Sequence, residues 1–201
     1  GYALNSLGRM REAMDCYRRA LALKPDYVDA HRNLGNALVA ANRVKEAIDC
    51  FRKILVVKPD AQVYCSLGNA LRTAGRTGEA MDCYRKALAI NPTLAAGHDG
   101  LGRTLVSLKR LPEAIEAYRK ALVIQPDHVE AHLGLGNAFY ALGRLPEAID
   151  SFRKLLAIKP VTAAAHFSLG NALFSLNRAN DAMAAYDKAI AIKPDYAEAH
   201  N

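Results

Sequence analysis

Pro25, Pro59, Pro92, Pro126, Pro160 and Pro194 punctuate the chain at intervals of 34, 33, 34, 34 and 34 residues. Proline cannot continue a helix, so a fixed proline period confines each regular element to one interval and makes the same local structure recur. Two further series keep the same phase. One is Leu34-Gly35, Leu67-Gly68, Leu101-Gly102, Leu135-Gly136 and Leu169-Gly170, with Gly1 where an earlier member would fall. The other is Ala13, Ala47, Ala80, Ala114, Ala148 and Ala182, each followed four residues later by Tyr17, Phe51, Tyr84, Tyr118, Phe152 or Tyr186.

Each interval has the pattern of two helices. In the first, Tyr27 to Ala40, helical spacing puts Ala30, Leu34, Ala37 and Leu38 on one face, with Asp26 as N-cap. The second, Lys45 to Val57, stops before Pro59; Pro112 and Pro146 suit the first turn of their own second helices, where a missing N–H costs little. Gly35 and its equivalents allow close approach within a hairpin, with Ala47 as notch and Phe51 as filler. A single hairpin cannot bury its apolar faces, so neighbours must stack. The predicted fold is all-α, a solenoid of antiparallel helix hairpins forming a right-handed superhelix with a concave inner wall.

The pattern AHRNLGNALVAANRVKEAIDCFRKILVVKP, residues 30–59, resembles the tetratricopeptide repeat (TPR) family, and the resemblance covers essentially the whole chain. The family's large first-helix slot, often Trp, here holds His31, Tyr64, His98, His132, His166 and His200. The expected organisation is one array: a partial repeat at 1–27, full repeats at 28–60, 61–94, 95–128, 129–162 and 163–196, and the start of another at 197–201. The 33-residue interval predicts a local distortion at the start of the first helix after Pro59. Unfinished ends without a polar cap suggest a piece of a longer protein, with head-to-tail self-association through those ends.

With 51% hydrophobic and 23% charged residues the chain is not disordered, and no apolar run or signal-like amino end marks a membrane span or export. A soluble, cytoplasmic protein is expected, with no membrane partner. The net charge of +7 invites a nucleic-acid reading, but 17 of the 27 basic residues recur at two repeat positions, as in Arg43 and Arg52-Lys53. This pattern is that of a solvated outer face. Acids four residues before bases, in Asp15/Arg19, Asp49/Lys53, Asp82/Lys86, Glu116/Lys120 and Asp150/Lys154, predict surface ion pairs there. Nucleic acid is disfavoured as a partner because aromatic platforms interleaved with bases are not evident.

Cys16, Cys50, Cys65 and Cys83 form no CxxC or zinc-ligand spacing, and they fit as small buried apolar residues. The repeated histidines are too far apart to share one ion, and His128, alone at a turn, is assigned to the surface. None of GxxxxGK[ST], GxSxG, HExxH or GxGxxG is present. Neither catalytic residues, nor a metal, nor a cofactor is expected.

The TPR resemblance implies a protein or peptide ligand on the concave first-helix face. One slot along that face reads Asn36, Asn69, Arg103, Asn137 and Asn171. A side-chain amide donates and accepts, so such a row suits the backbone of an extended peptide. Flanking slots change from Arg32, Cys65, Arg72 and Asp99 to Leu133, Tyr140, Phe167 and Phe174, a polar, basic stretch followed by an apolar docking stretch. Arg32 and Asn36 match the first part of the clamp by which related modules grip chaperone tails, but Ser66, Ala96 and Gly100 do not match the rest. The LGNAL, EAIDCF and CYRKALAINP segments are also similar to repeats of O-GlcNAc-type transferases. Those carry a recurrent Asn before Leu-Gly; only Asn33 matches, against Ser66, Gly100, Gly134 and Ser168. The leading expectation is a non-catalytic interaction scaffold; the alternative is the substrate-recognition arm of such a transferase.

Overall fold

The computed structural model describes residues 9–194, and the described residues form eleven α-helices and no strand. These are α1 (Met10–Leu23), α2 (Val28–Ala40), α3 (Val44–Val57), α4 (Ala61–Thr73), α5 (Thr77–Ile90), α6 (Ala95–Ser107), α7 (Leu111–Ile124), α8 (Val129–Ala141), α9 (Leu145–Ile158), α10 (Ala163–Ser175) and α11 (Ala179–Ile192). Gly1, His200 and the expected repeat start at 197–201 lie outside the described residues. The chain divides into two compact units, one ending at Thr104 and the other beginning at Leu105. In the first, α1 to α5 each pack on the next helix in sequence; in the second, α7 to α11 do the same. Sequential neighbours are therefore spatial neighbours, as stacked hairpins require. No described helix is long and apolar enough to cross a membrane.

Asp26 does not cap α2. The N-cap is Tyr27, without a side-chain cap bond, and its N–H closes a turn onto the Lys24 carbonyl at 3.2 Å. Pro25 sits second in that turn, where its fixed φ fits, and Asp26 is used up as the third turn residue. After Pro59 the missing residue is taken from this turn and not from the helix. α4 keeps 13 residues, like α2, and Asp60 becomes a true cap whose carboxylate accepts the Val63 N–H at 2.9 Å. The expected distortion at the helix start is thus absent. His128 is likewise no free surface residue: it is the N-cap of α8, with Nδ1 accepting from Ala131 N–H.

Inside each hairpin the first helix ends in one repeated motif. The Asn42 N–H reaches the Val39 carbonyl at 3.0 Å and the Arg43 N–H reaches that of Leu38 at 2.8 Å, closing off orphan carbonyls. The motif needs a left-handed residue, found at Asn42, Gly75, Lys109, Gly143 and Asn177. Asn and Gly tolerate that conformation; Lys109, with φ 59°, does not do so readily. Lys109→Gly is expected to stabilise the chain by about 1 kcal/mol, raising Tm by roughly 2–4 °C in a thermal melt. An unchanged or lower Tm would show that the Lys109 side chain offsets the backbone cost.

The hairpins lock by aromatic rings seated on glycine. A Cβ built on Gly35 would lie 2.7 Å from Phe51 Cε1, and one on Gly68 would lie 2.8 Å from Tyr84 Cε1. Tyr84 is also covered by the next repeat, since a Cβ on Gly100 would stand 2.2 Å from the same carbon. Tyr118 presses on Gly134 in the same manner, at 2.4 Å. At Gly100 and Gly134, in the slot before Leu-Gly, any side chain would enter the ring of the preceding repeat's tyrosine.

The histidine slot also has a structural use. His31, His98, His132 and His166 each place Nε2 2.8–3.0 Å from the carbonyl of Pro25, Pro92, Pro126 or Pro160, six residues back. A carbonyl only accepts, so Nε2 carries the proton and each first helix is tied to the turn that precedes it.

Of the expected i,i+4 ion pairs, Asp150–Lys154 forms, at 2.8 Å. Asp15, Asp82 and Glu116 instead meet Arg18, Arg85 and Arg119 three residues on. A stronger series lies at the helix starts: Arg9, Arg43, Arg76, Arg110, Arg144 and Arg178, the N-caps of the second helices, each pair with an acid in the first turn. Arg43 holds Glu46 through two bonds of 2.6 and 2.7 Å. The fork of a guanidinium matches a carboxylate better than an ammonium does, and the acid also complements the helix dipole.

Cys50, Cys65 and Cys83 are buried, but Cys16 is exposed. Cys50 and Cys83 lie near Arg18 and Arg52 of the preceding second helix, whereas no second helix precedes α1 among the described residues.

Candidate functional site

The first helices expose one register between buried ones. Leu34, Gly35, Ala37 and Leu38 of α2 are buried while Asn36 is exposed; Asn69 on α4, Arg103 on α6 and Asn137 on α8 are exposed too, and Asn171 on α10 is half-buried. These side chains are not equivalent. The Tyr84 hydroxyl donates to Asn69 Oδ1 at 2.8 Å, and the Tyr186 hydroxyl donates to Asn171 Oδ1 at 2.8 Å. The corresponding aromatics for Asn36 and Asn137 are Phe51 and Phe152, which have no hydroxyl to give. Asn36 and Asn137 therefore keep both halves of the amide, whereas Asn69 and Asn171 keep the NH2 donor. The signal for this split lies fifteen residues downstream, in the choice of Tyr or Phe.

In the amino-terminal unit Arg32 is half-buried and paired with Asp29 at 3.3 Å. Arg72 is half-buried and Arg103 approaches the buried Asp99 at 3.9 Å. Both guanidiniums act on the Tyr84 hydroxyl, whose pKa is pushed up to about 12, chiefly by burial, with the two arginines opposing the rise. Cys65, expected on this face, belongs to the core at 1% exposure; burial, with Cys83 nearby, pushes its thiol up to about 12.

In the carboxy-terminal unit Tyr140 and Phe174 are exposed, at 39% and 64%. The Tyr140 hydroxyl lies 3.3 Å from Ser175 Oγ, bringing the ends of α8 and α10 together. Leu133 and Phe167 are half-buried, and the Phe167 ring packs 5.8 Å from that of Tyr186. A cavity of about 630 Å³ is lined by Arg119, Pro126, His132, Phe139, Lys154 and Ile158. Arg144 and Arg119 stand 4.6 and 5.8 Å from the Phe139 ring centre. The signal was Phe139 itself, in a slot that elsewhere holds Leu38, Leu71, Leu105 and Leu173.

Tetratricopeptide repeat models match residues 100–161 and 61–94, and a TPR repeat model matches residues 1–42 and 170–201. The chain belongs to the tetratricopeptide repeat family. Among solved structures, YrrB, a TPR protein with an unusual peptide-binding site, is 25% identical; the match covers 92% of this chain and 95% of YrrB, with TM-score 0.69. TTC0263, a thermophilic TPR protein in Thermus thermophilus, is 23% identical over 86% of this chain and 95% of its own, with TM-score 0.72. PilF of Pseudomonas aeruginosa is 19% identical over all of this chain and 91% of its own, with TM-score 0.85. The last two likenesses speak for the TPR solenoid fold alone. No curated protein matches the sequence.

Proposed function

We propose that this TPR chain is a non-catalytic scaffold that binds extended peptide segments of partner proteins on the first-helix faces of its units. In the amino-terminal unit Asn36, Asn69 and Arg103 offer groups to the peptide backbone, with Arg32 and Arg72 beside them. In the carboxy-terminal unit Asn137 and Asn171 take that part, and Leu133, Tyr140, Phe167 and Phe174 receive apolar side chains. The observation that carries the reading is the state of Asn36 and Asn137. Asn137 is exposed like Asn36, and neither side chain has a hydrogen-bond partner among the described residues. Amides with no part in holding the fold are free to serve a ligand. The peptide-binding site of YrrB, the neighbour at 25% identity, supports the same reading. The Arg–acid forks on the second helices favour protein over nucleic acid, because those guanidiniums already have partners.

The test is made on each unit separately. Peptides selected from a random array are measured by fluorescence anisotropy against the wild type, Asn36→Ala and Asn137→Ala. A peptide seated on a unit should bind about fivefold more weakly once that unit's Asn is removed, the value of roughly one hydrogen bond. Helicity should be unchanged. Equal affinity for all three proteins would remove the assignment of these faces.

A further inference from the structure

We infer that the end of α3 and the Pro25 turn form a second docking site, which seats a leucine-sized side chain of a partner protein whose neighbouring residues are acidic. The site is separate from the first-helix register proposed above, since Asn36 lies more than one turn beyond the nearest lining residue of α2, His31. A cavity of about 280 Å³ is lined by Pro25, Val28, His31, Ile54, Val56 and Val57, to which Lys53 and Asp26 add one charge of each sign. Small-ligand pockets run from roughly 300 to 1,000 Å³, so this one suits a side chain better than a cofactor. Ile54 is buried, but Val56 and Val57 are 87% and 56% exposed. The His31 ring, tied to the Pro25 carbonyl at 2.8 Å, holds the opposite wall in place. Val56 is the residue that local structure does not require. Its slot holds alanine at Ala22, Ala89, Ala157 and Ala191, and a β-branched side chain in the last turn of a helix gives up propensity while burying almost nothing in return.

Charge identifies the occupant. Up to Thr104 the chain carries 16 basic and 10 acidic residues, a net +6, whereas from Leu105 onward it carries 11 and 10, a net +1. The excess is thus concentrated in the unit that holds this cavity. Lys53 has no ion-pair partner among the described residues, its neighbour Arg52 being the one that meets Glu79, at 3.3 Å. The equivalent lysine of the second unit, Lys154, is paired with Asp150 at 2.8 Å. Lys24 and Lys58 border the lining residues in sequence, so three cations stand against Asp26. An apolar notch beside unpaired cations is complementary to an apolar side chain flanked by carboxylates. A lipid surface fits less well: it is flat on this scale and cannot fill a notch, and Trp, Tyr and Phe, the residues that favour a membrane interface, are absent from the described lining.

The probes are capped dodecapeptides repeating Leu-Glu-Glu, Ala-Glu-Glu or Leu-Gln-Gln, together with phosphatidylserine vesicles, titrated into the methyl-labelled full chain and followed by NMR. The Leu-Glu-Glu peptide should shift the methyl resonances of Val28, Ile54, Val56 and Val57 saturably, and each of the other two peptides should bind more weakly. Val56→Ser should weaken it about tenfold and Lys53→Gln about threefold, while Met183→Ser, at an exposed position of the other unit, leaves it unchanged. Val56 and Lys53 are exposed, so both variants should keep wild-type circular dichroism. Shifts that miss these four residues, or equal binding by wild type and Val56→Ser, would overturn the site. Equal binding of Leu-Gln-Gln would overturn the acidic partner, and vesicles that shift these methyls while no peptide does would replace the protein partner with a membrane. Asn36→Ala separates the two readings. It should leave the Leu-Glu-Glu affinity as it is, and a loss there would move the peptide to the first-helix face and remove the second site.

Discussion

Tyr84→Ala is expected to destabilise this chain by about 3–5 kcal/mol, at the upper end of what a single truncation costs. Tyr84 is fully buried, and its ring lies between Gly68 of its own repeat and Gly100 of the next. Glycine has no side chain to swing into the space, so the walls cannot collapse and the void persists. The damage should also be local. Each hairpin is stabilised by its neighbours, so a weakened junction uncouples the repeats on its two sides. Urea denaturation followed by circular dichroism should therefore show a lower midpoint and a broader or two-step transition. Tyr84→Phe is the control, because it keeps the ring and loses the bond to Asn69, for about 0.5–1.5 kcal/mol. If the two substitutions cost the same, the hydroxyl and not the ring holds the junction together, and the sandwich account fails.

The same residue shows how far sequence carries. The proline period, the Leu-Gly pairs and the Ala-x-x-x-aromatic series require stacked hairpins on their own, because each series recurs in one register and the three fit one another mechanically. Differences within a series were harder to read. Tyr84 and Phe51 look interchangeable as fillers, yet one engages its asparagine and the other leaves Asn36 without an internal partner. That contact joins residues on two helices, and its effect on ligand chemistry appears once the hydroxyl is placed. Spacing rules failed where two competed. Arg18 lies three residues from Asp15 and Arg19 four, and the nearer guanidinium takes the carboxylate. Asp26 fits the composition of an N-cap, but the proline turn had already claimed it. Asp60, one residue closer to its helix, does cap. Lys109 was readable in principle, since Asn42, Gly75, Gly143 and Asn177 stand at the same place and require a left-handed residue.

Two helical glycines should respond to added side chains with opposite signs. Gly78 lies in the first turn of α5, and a Cβ there meets nothing within 4 Å. Gly78→Ala should gain a few tenths to about 1 kcal/mol, because alanine loses less conformational freedom on entering a helix. Gly100 would gain the same propensity, but its Cβ would enter the Tyr84 ring at 2.2 Å from Cε1. That ring cannot retreat, since Gly68 closes the other side at 2.8 Å. Gly100→Val, with two further methyl groups on a β-branched residue, is expected to cost about 3 kcal/mol, as overpacking outweighs propensity. The double-mutant cycle decides between mechanisms. If steric conflict with the ring is the cause, Tyr84→Leu should cost markedly less in the Gly100→Val background than alone, because the smaller side chain vacates the contested volume. Strict additivity would mean that Gly100 is needed for its own backbone and not for the ring it faces. In that case the glycine before Leu-Gly would no longer be explained by the tyrosine of the preceding repeat.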